Sequence, residues 1–390
     1  MSSMEGEGRT AVLTAPGVRR DGGHRIALVS GVCVRHDAIS NSLRSQADVL
    51  RSAGHEVRIF VQATDCLDPA DVRVVGSSWE LASDPFYASA DLVVVHYGVR
   101  HDLFSALVLP HPGRRVVHFH NITPPDVLAG AARALAHDSF QLLGAAALAD
   151  EVWVDSPHNA VVLMATTDVA PDRIRPMELH VPFVDRPPAS PDLDVDPDRP
   201  LEVVTVGRFV PAKGLHDLLA AAGRIRARPV RLVLAGSTRY SDRSYLEQLR
   251  TRATELPDGV EAVLLADVDD DELARRLDAA DVFVSASHHE GFCVPVVEAL
   301  AHGCRLVVTD AGALPDTAGG CGTVVPVGDV DALAAGMDRE LAAARRERRG
   351  APTAEDRERR ERVARHLRTF GSEAFRDRLL SAVDALVGAG

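Results

Sequence analysis

The sequence predicts an α/β protein built from two doubly wound, Rossmann-like parallel-sheet domains that face a central cleft. Three observations carry this. From Arg25 onward, short apolar runs alternate with amphipathic stretches; the segment PFVDRPPASPDLDVDPDRP interrupts that rhythm over residues 182–200; and the rhythm restarts at Leu201. Short continuous apolar runs separated by helical periodicity belong to strands buried on both faces, as in a parallel sheet covered by helices on each side.

In order, RIALVSGV (25–32) reads as a strand, ISNSLRSQADVLRSAG (39–54) as a helix ending at Gly54, and HEVRIFV (55–61) as the next strand. DLVVVHYG (91–98), RRVVHFHN (114–121) and DEVWVDS (150–156) read as further strands, with a long Ala/Leu helix between the last two. The proline- and aspartate-rich segment can continue neither a helix nor a central strand. It divides a domain over 25–183 from one over 201–370, with 184–200 as the linker. In the second domain the strands are LEVVTVG (201–207), VRLVLAG (230–236), VEAVLLA (260–266), ADVFVSAS (280–287) and CRLVVTD (304–310), and a helix starts near Leu215. The run RELAAARRERRG followed by AEDRERRERVARHL interleaves opposite charges at helical spacing and reads as a solvated helix. The last helix, within 371–390, is a candidate to cross back onto the first domain.

Composition narrows the class. The chain has 390 residues and a formal charge of −13, with 46% hydrophobic and 25% charged residues. That balance fits an acidic globular enzyme and disfavours nucleic acid or an anionic membrane as a partner. Five cysteines form no C-x-x-C pair, which fits a reducing, cytoplasmic setting without a disulfide framework or zinc site. Residues 1–24 lack the apolar core of a signal peptide and read as a disordered tail, and no apolar run reaches the ~20 residues that span a bilayer.

Two constellations carry chemistry. Lys213, in TVGRFVPAKGLHDLL, is the only lysine in the chain. With Gly207 and Arg208 it lies past the carboxyl end of a strand and beside the start of a helix. Two cations there suit a diphosphate, and a compact ammonium fits where a planar guanidinium does not; a chance surface lysine is the plain alternative. The second is SHHEGFCVPVVEALAHG (287–303), where Glu290 precedes a turn through Gly291 and Glu298 lies inside the following helix. The N–H groups of Gly291, Phe292, Cys293 and Val294 would face an anion at that helix end, and Pro295 suits its first turn. The two carboxylates can accept hydrogen bonds from sugar hydroxyls. Capping by Glu290 and internal pairing of Glu298 are the structural alternatives.

GRFVPAKG together with EGFCVPVVEALAHGCRLVVTDAGALPDTAGG resembles the retaining GT-B glycosyltransferases of family four: G-R-x(4)-K-G, then E-x(7)-E, then a Gly-x-Leu-Pro turn, in order. The resemblance implies that Arg208 and Lys213 hold the donor diphosphate. It also implies that Glu290 contacts the transferring sugar, Glu298 the ribose, and the backbone of Gly291, Phe292 and Cys293 the phosphates and sugar. Cys293 stands where many members have glycine. VHFHNITPP (117–125) and RHDAISN (35–41) resemble segments of one His-Asn-Ile-Thr-Pro branch, which implies His120 near the reacting carbon. On the same ground Asp37, Ser40, Asn41 and Asn121 fall on the acceptor side, although Ser40 is equally suited to capping its helix.

The activity so implied is retaining, metal-independent transfer from a nucleotide-diphosphate sugar, UDP or GDP first, by front-face attack. No further cofactor is expected. DVDDDEL (267–273) offers a D-x-D, but it precedes a helix whose dipole favours aspartates. The helix over 39–54 carries only Arg44 and Arg51 beside Asp48, so a soluble small-molecule acceptor is expected rather than a lipid. An epimerase, a phosphorylase or a non-catalytic nucleotide-sugar sensor would suit the same frame. A nicotinamide dehydrogenase fits less well, because VSGVCVRHD lacks G-x-G-x-x-G.

Overall fold

Two parallel sheets organise the chain in a computed structural model, which describes residues 22–35, 37–65, 72–185, 199–239 and 241–388. Most of the expected N-terminal tail and most of the expected linker lie outside the described residues. The first sheet contains β1 (Arg25–Cys33), β2 (Glu56–Thr64), β3 (Val72–Val74), β4 (Leu92–Tyr97), β5 (Arg114–Phe119), β6 (Glu151–Val154) and β7 (Ile174–Pro176), in the order β3-β2-β1-β4-β5-β6-β7. The second contains β8 (Leu201–Val206), β9 (Val230–Gly236), β10 (Val260–Ala266), β11 (Val282–Ser285), β12 (Arg305–Thr309) and β13 (Thr323–Val325), ordered β10-β9-β8-β11-β12-β13.

The intervening helices of the first half are α1 (Ala38–Ser52), α2 (Ser78–Ser83), α3 (Pro85–Ala88), α4 (Gly130–Leu143) and α5 (Pro157–Thr166). Those of the second are α6 (Leu215–Ala222), α7 (Arg243–Thr254), α8 (Asp270–Ala279), α9 (Val294–Ala301), α10 (Leu314–Ala318), α11 (Val330–Arg348), α12 (Ala354–Leu367) and α13 (Ser372–Val387). Alternate residues of β1 feed different cores. Ala27 and Val29 pack with Phe60, Phe104 and Phe119, while Ile26 and Leu28 pack with Leu43, Leu50 and Trp153. This two-sided burial is why the strands read as unbroken apolar runs. In each sheet the strand order reverses beside the first strand, between β1 and β4 and between β8 and β11. Loops at the carboxyl ends of these strands border the crevice where open α/β sheets take ligands.

One feature agrees with the reading from sequence and one corrects it. Helix α13 inserts Phe375, Leu379, Ala382 and Val383 into the core shared by β1 and α1, so the last helix completes the first sheet's packing. The Arg/Glu run forms α11 and α12, and it is not solvated throughout: Glu340, Asp356 and Arg359 are buried. Arg305 of β12 reaches Glu340 at 2.7 Å and Asp356 at 3.0 Å, so the acidic members of the run neutralise a buried guanidinium.

Candidate active site

The β8–α6 turn is set by Gly214, at φ +60°, where a Cβ would stand 1.9 Å from the carbonyl oxygen of Ala286. This left-handed turn presses the segment against the loop that follows β11 and aims Lys213 across it. Lys213 Nζ donates to Glu290 Oε1 at 2.6 Å, and Ser287 Oγ donates to the same oxygen at 2.8 Å. The His288 amide donates to the Ala212 carbonyl at 2.8 Å, tying the two loops together by backbone as well.

Burial disfavours the charge on Lys213, but the Glu290 carboxylate beside it outweighs that and raises its pKa. Burial likewise pushes Glu290 up, while the Lys213 charge and the hydrogen bonds from Lys213 and Ser287 bring it below the usual range. The pair is therefore ionised at neutral pH. Arg208 is exposed one residue past Gly207, and its charge opposes that of Lys213, which places two cations in one field.

The loop after Glu290 enters α9 through Cys293, which takes a left-handed conformation at φ 74°. Burial pushes the Cys293 thiol well up, and the Glu290 charge adds to this, so the sulfur is a neutral thiol and no nucleophile. Phe292 is 7% exposed and packs with Leu179, Val181, Val297 and Phe370. Its ring faces that cluster, leaving only its backbone for a ligand. Glu298 is half-buried on α9.

The two halves meet at this loop. Gly291 packs so closely on Asn121 that a Cβ would lie 2.4 Å from the Asn121 Cβ. Asn121 Nδ2 donates to His289 Nε2 at 3.0 Å, and Ser156 Oγ donates to the Gly291 carbonyl at 2.9 Å. Burial holds His289 down to about 4, so its ring is neutral and can accept from the amide. Asn121, expected on the acceptor side, thus also clasps the loop carrying Glu290. Sequence reasoning gave no role to Ser156, read as the last residue of the strand DEVWVDS, or to His289 within SHHEGFCVPVVEALAHG; the structure puts them past the carboxyl ends of β6 and β11.

On the first sheet, His120 Nδ1 meets Asp155 at 2.8 Å and its Nε2 meets His96 Nδ1 at 2.9 Å. His118 shares the other Asp155 oxygen at 2.8 Å and reaches Gln46 at 2.7 Å. Both ring nitrogens of His120 are spent inside a buried network and its side chain is 3% exposed, so the structure gives it no free nitrogen facing the cleft. Asp37, and not Ser40, caps α1, accepting from the Ser40 amide at 2.9 Å and its hydroxyl at 2.6 Å. Ser40 Oγ in turn accepts from the Val34 amide at 3.0 Å, so this buried hydroxyl braces the loop. Asn41 is exposed and accepts from Arg44. In the D-x-D stretch, Asp269 caps α8 by accepting from the Glu272 amide at 2.7 Å, and Asp267 accepts from the Thr238 amide at 2.7 Å.

Residues 193–357 match the family described as Glycosyl transferases group 1. Over 146 residues the chain is 38% identical to MMP alpha-(1->4)-mannosyltransferase of Mycolicibacterium hassiacum, covering 36% of this chain and 34% of that one. It is 30% identical over 247 residues to D-inositol 3-phosphate glycosyltransferase of Mycobacterium ulcerans, covering 62% of this chain and 51% of that one. A phosphatidyl-myo-inositol mannosyltransferase of Mycolicibacterium smegmatis aligns at 29% identity over 325 residues, covering 75% and 78%. The match therefore spans about a third of the first relative's length and about half of the second's. Among solved structures, sucrose-phosphate synthase from Thermosynechococcus elongatus superposes with a TM-score of 0.72 at 22% identity, covering 94% of this chain and 99% of that one. HepE of Anabaena, solved with UDP and glucose, superposes at 0.71 and 16% identity, covering 93% and 100%. The half of the chain that holds Arg208, Lys213, Glu290 and Glu298 thus matches the glycosyl transferases group 1 family, on a GT-B fold that extends over both halves.

Proposed function

We propose that the protein is a glycosyltransferase that moves a sugar from a nucleotide-diphosphate sugar to a soluble small-molecule acceptor with retention of configuration. The observation that carries this is the buried Lys213–Glu290 pair beside exposed Arg208, at the carboxyl end of the second sheet and within the family match. Breaking the glycosidic bond leaves negative charge on the diphosphate. Arg208, Lys213 and the N-terminal end of α9 stabilise that charge without a metal in the transfer step. The hydrogen bonds from Lys213 and Ser287 to the Glu290 carboxylate both fall on Oε1, which orients the carboxylate for a sugar hydroxyl. Glu298 takes the ribose. With Cys293 held as a neutral thiol and Glu290 pinned by Lys213, attack from the donor's own face is favoured over a covalent intermediate, the leaving phosphate accepting the acceptor's proton. Asp37, Asn41 and Asn121 border the acceptor side. His120, whose ring is committed to Asp155 and His96, orients that side and transfers no proton.

Titration calorimetry with UDP, GDP, ADP and TDP in EDTA tests the reading. One diphosphate is expected to bind without metal, and Lys213→Ala is expected to weaken it by roughly 1.5–3 kcal/mol, about ten- to a hundredfold. Unchanged affinity in the variant would remove Lys213 from the diphosphate site. Product analysis with the matching nucleotide-sugar then separates transfer from epimerisation, phosphorolysis and binding without turnover.

A further inference from the structure

Beside the proposed donor site, a second group of side chains takes no part in that chemistry. His216 and Asp217 open α6, three and four residues after Lys213, and His288 lies two residues before Glu290. His288 Nε2 is 2.7 Å from Asp217 Oδ2, and His216 Nε2 is 3.5 Å from Asp217 Oδ1. One donor atom from each residue falls within 4.8 Å of the others. We propose that His216, Asp217 and His288 form a site for a divalent transition-metal ion of the zinc class, clamping the start of α6 to the loop that carries Glu290.

Four features support it. Two imidazoles and one carboxylate are a donor set that zinc, cobalt and nickel take and that magnesium and calcium do not favour. Tetrahedral ligands about 2.1 Å from zinc stand about 3.4 Å from one another, so the His216–Asp217 pair at 3.5 Å already has that spacing and the His288–Asp217 pair at 2.7 Å needs to open by less than an ångström. His216 is already oriented from behind, with its Nδ1 2.9 Å from the Tyr245 hydroxyl. That leaves Nε2 on the side of Asp217, which is how an outer partner fixes a metal-binding imidazole. The three side chains are also between 17% and 33% exposed, so an ion can enter and a water can take the fourth position.

A rival cluster, His96, His118 and His120, fits less well. His118 and His120 each spend both ring nitrogens on Asp155, Gln46 or His96 inside the core, so an ion there would have to break several buried hydrogen bonds.

The test is calorimetric titration of the full chain, stripped of metal, with Zn2+ in the absence of nucleotide, alongside the visible absorption of added Co2+. One equivalent is expected to bind, with the cobalt bands of a nitrogen-coordinated four- or five-coordinate ion. Binding should be lost in His288→Ala and in Asp217→Asn, weakened about 10- to 100-fold in Tyr245→Phe, and retained in His302→Ala. The circular dichroism of each variant establishes that it is folded. Absence of binding to the wild-type chain overturns the proposal. So does binding that persists in folded His288→Ala, or that is lost instead in His96→Ala. Because no nucleotide is present, these outcomes are independent of the proposed donor-site reading, whose diphosphate titration is itself carried out in EDTA.

Discussion

Gly214 is the residue on which the placement of Lys213 depends. Its φ of +60° disfavours any side chain, and a Cβ there would meet the Ala286 carbonyl at 1.9 Å, a backbone atom that cannot swing aside. Gly214→Ala is expected to destabilise the protein by about 1–3 kcal/mol and to weaken nucleotide diphosphate binding, because relief of the clash moves Lys213 from Glu290. Gly223→Ala is the control, since its nearest neighbour would lie at 3.4 Å and its backbone is right-handed. Melting temperatures and calorimetry of the two variants make the comparison; equal losses in both would contradict the argument. Much of this was legible beforehand: a lone lysine in G-R-x(4)-K-G and the glutamates of E-x(7)-E mark the donor loops. Their pairing was not. Lys213 and Glu290 are 77 positions apart, and nothing local to either one records a hydrogen bond that exists only once β8 and β11 lie side by side. His120 shows the converse. Its position was legible, but the Asp155 and His96 side chains that consume its ring lie on neighbouring strands and elements.

At the scale of elements, long buried strands announce themselves through continuous apolar runs. By contrast β3, β7 and β13, three residues each, are too short for any periodicity and are defined by pairing with β2, β6 and β12. The helices α11 and α12 show how charge pattern misleads. An Arg/Glu alternation reads as solvated, yet Arg305 from β12 is only 8% exposed and needs Glu340, Glu347 and Asp356 around it. Removing one partner from such a group strands the remaining charges in the interior. Arg305→Ala is therefore expected to cost about 3–5 kcal/mol, whereas replacing both Arg305 and Glu340 by leucine should cost less than the two single changes added together. Denaturant unfolding of the single and double variants measures that difference; strict additivity would mean that the groups do not act as a network.

For the whole molecule, the buried histidines set the response to acid. Burial, reinforced by neighbouring histidines, holds His96 well below its ordinary value. Burial holds His101 and His118 down to about 4 from 6.5, and His289, at the meeting of the two halves, is also held to about 4. Between 6.5 and 4 the unfolded chain thus binds protons that the folded chain refuses, so stability must fall as the pH falls through that window, by up to about 1.4 kcal/mol per pH unit for each such histidine. A second loss follows lower down. Burial raises Asp155, but the His120 charge and the hydrogen bonds from His118 and His120 bring it to about 2 from 3.8, so its contribution is present above 3.8 and disappears as the pH drops toward 2. His289 adds a spatial element. Once protonated it can no longer accept from Asn121 Nδ2, and two of the contacts joining the halves, that hydrogen bond and the close packing of Gly291 on Asn121, lose their anchor. Thermal unfolding followed from neutral pH downward should show the midpoint beginning to drop near pH 6.5, above the ordinary carboxylate range. His289→Gln, which keeps a polar side chain but no ionisable ring, should make the first part of that curve shallower by one histidine's share while leaving the lower part in place. A midpoint constant down to pH 4, or an identical curve in the variant, would show that His289 is not held neutral where the two halves meet.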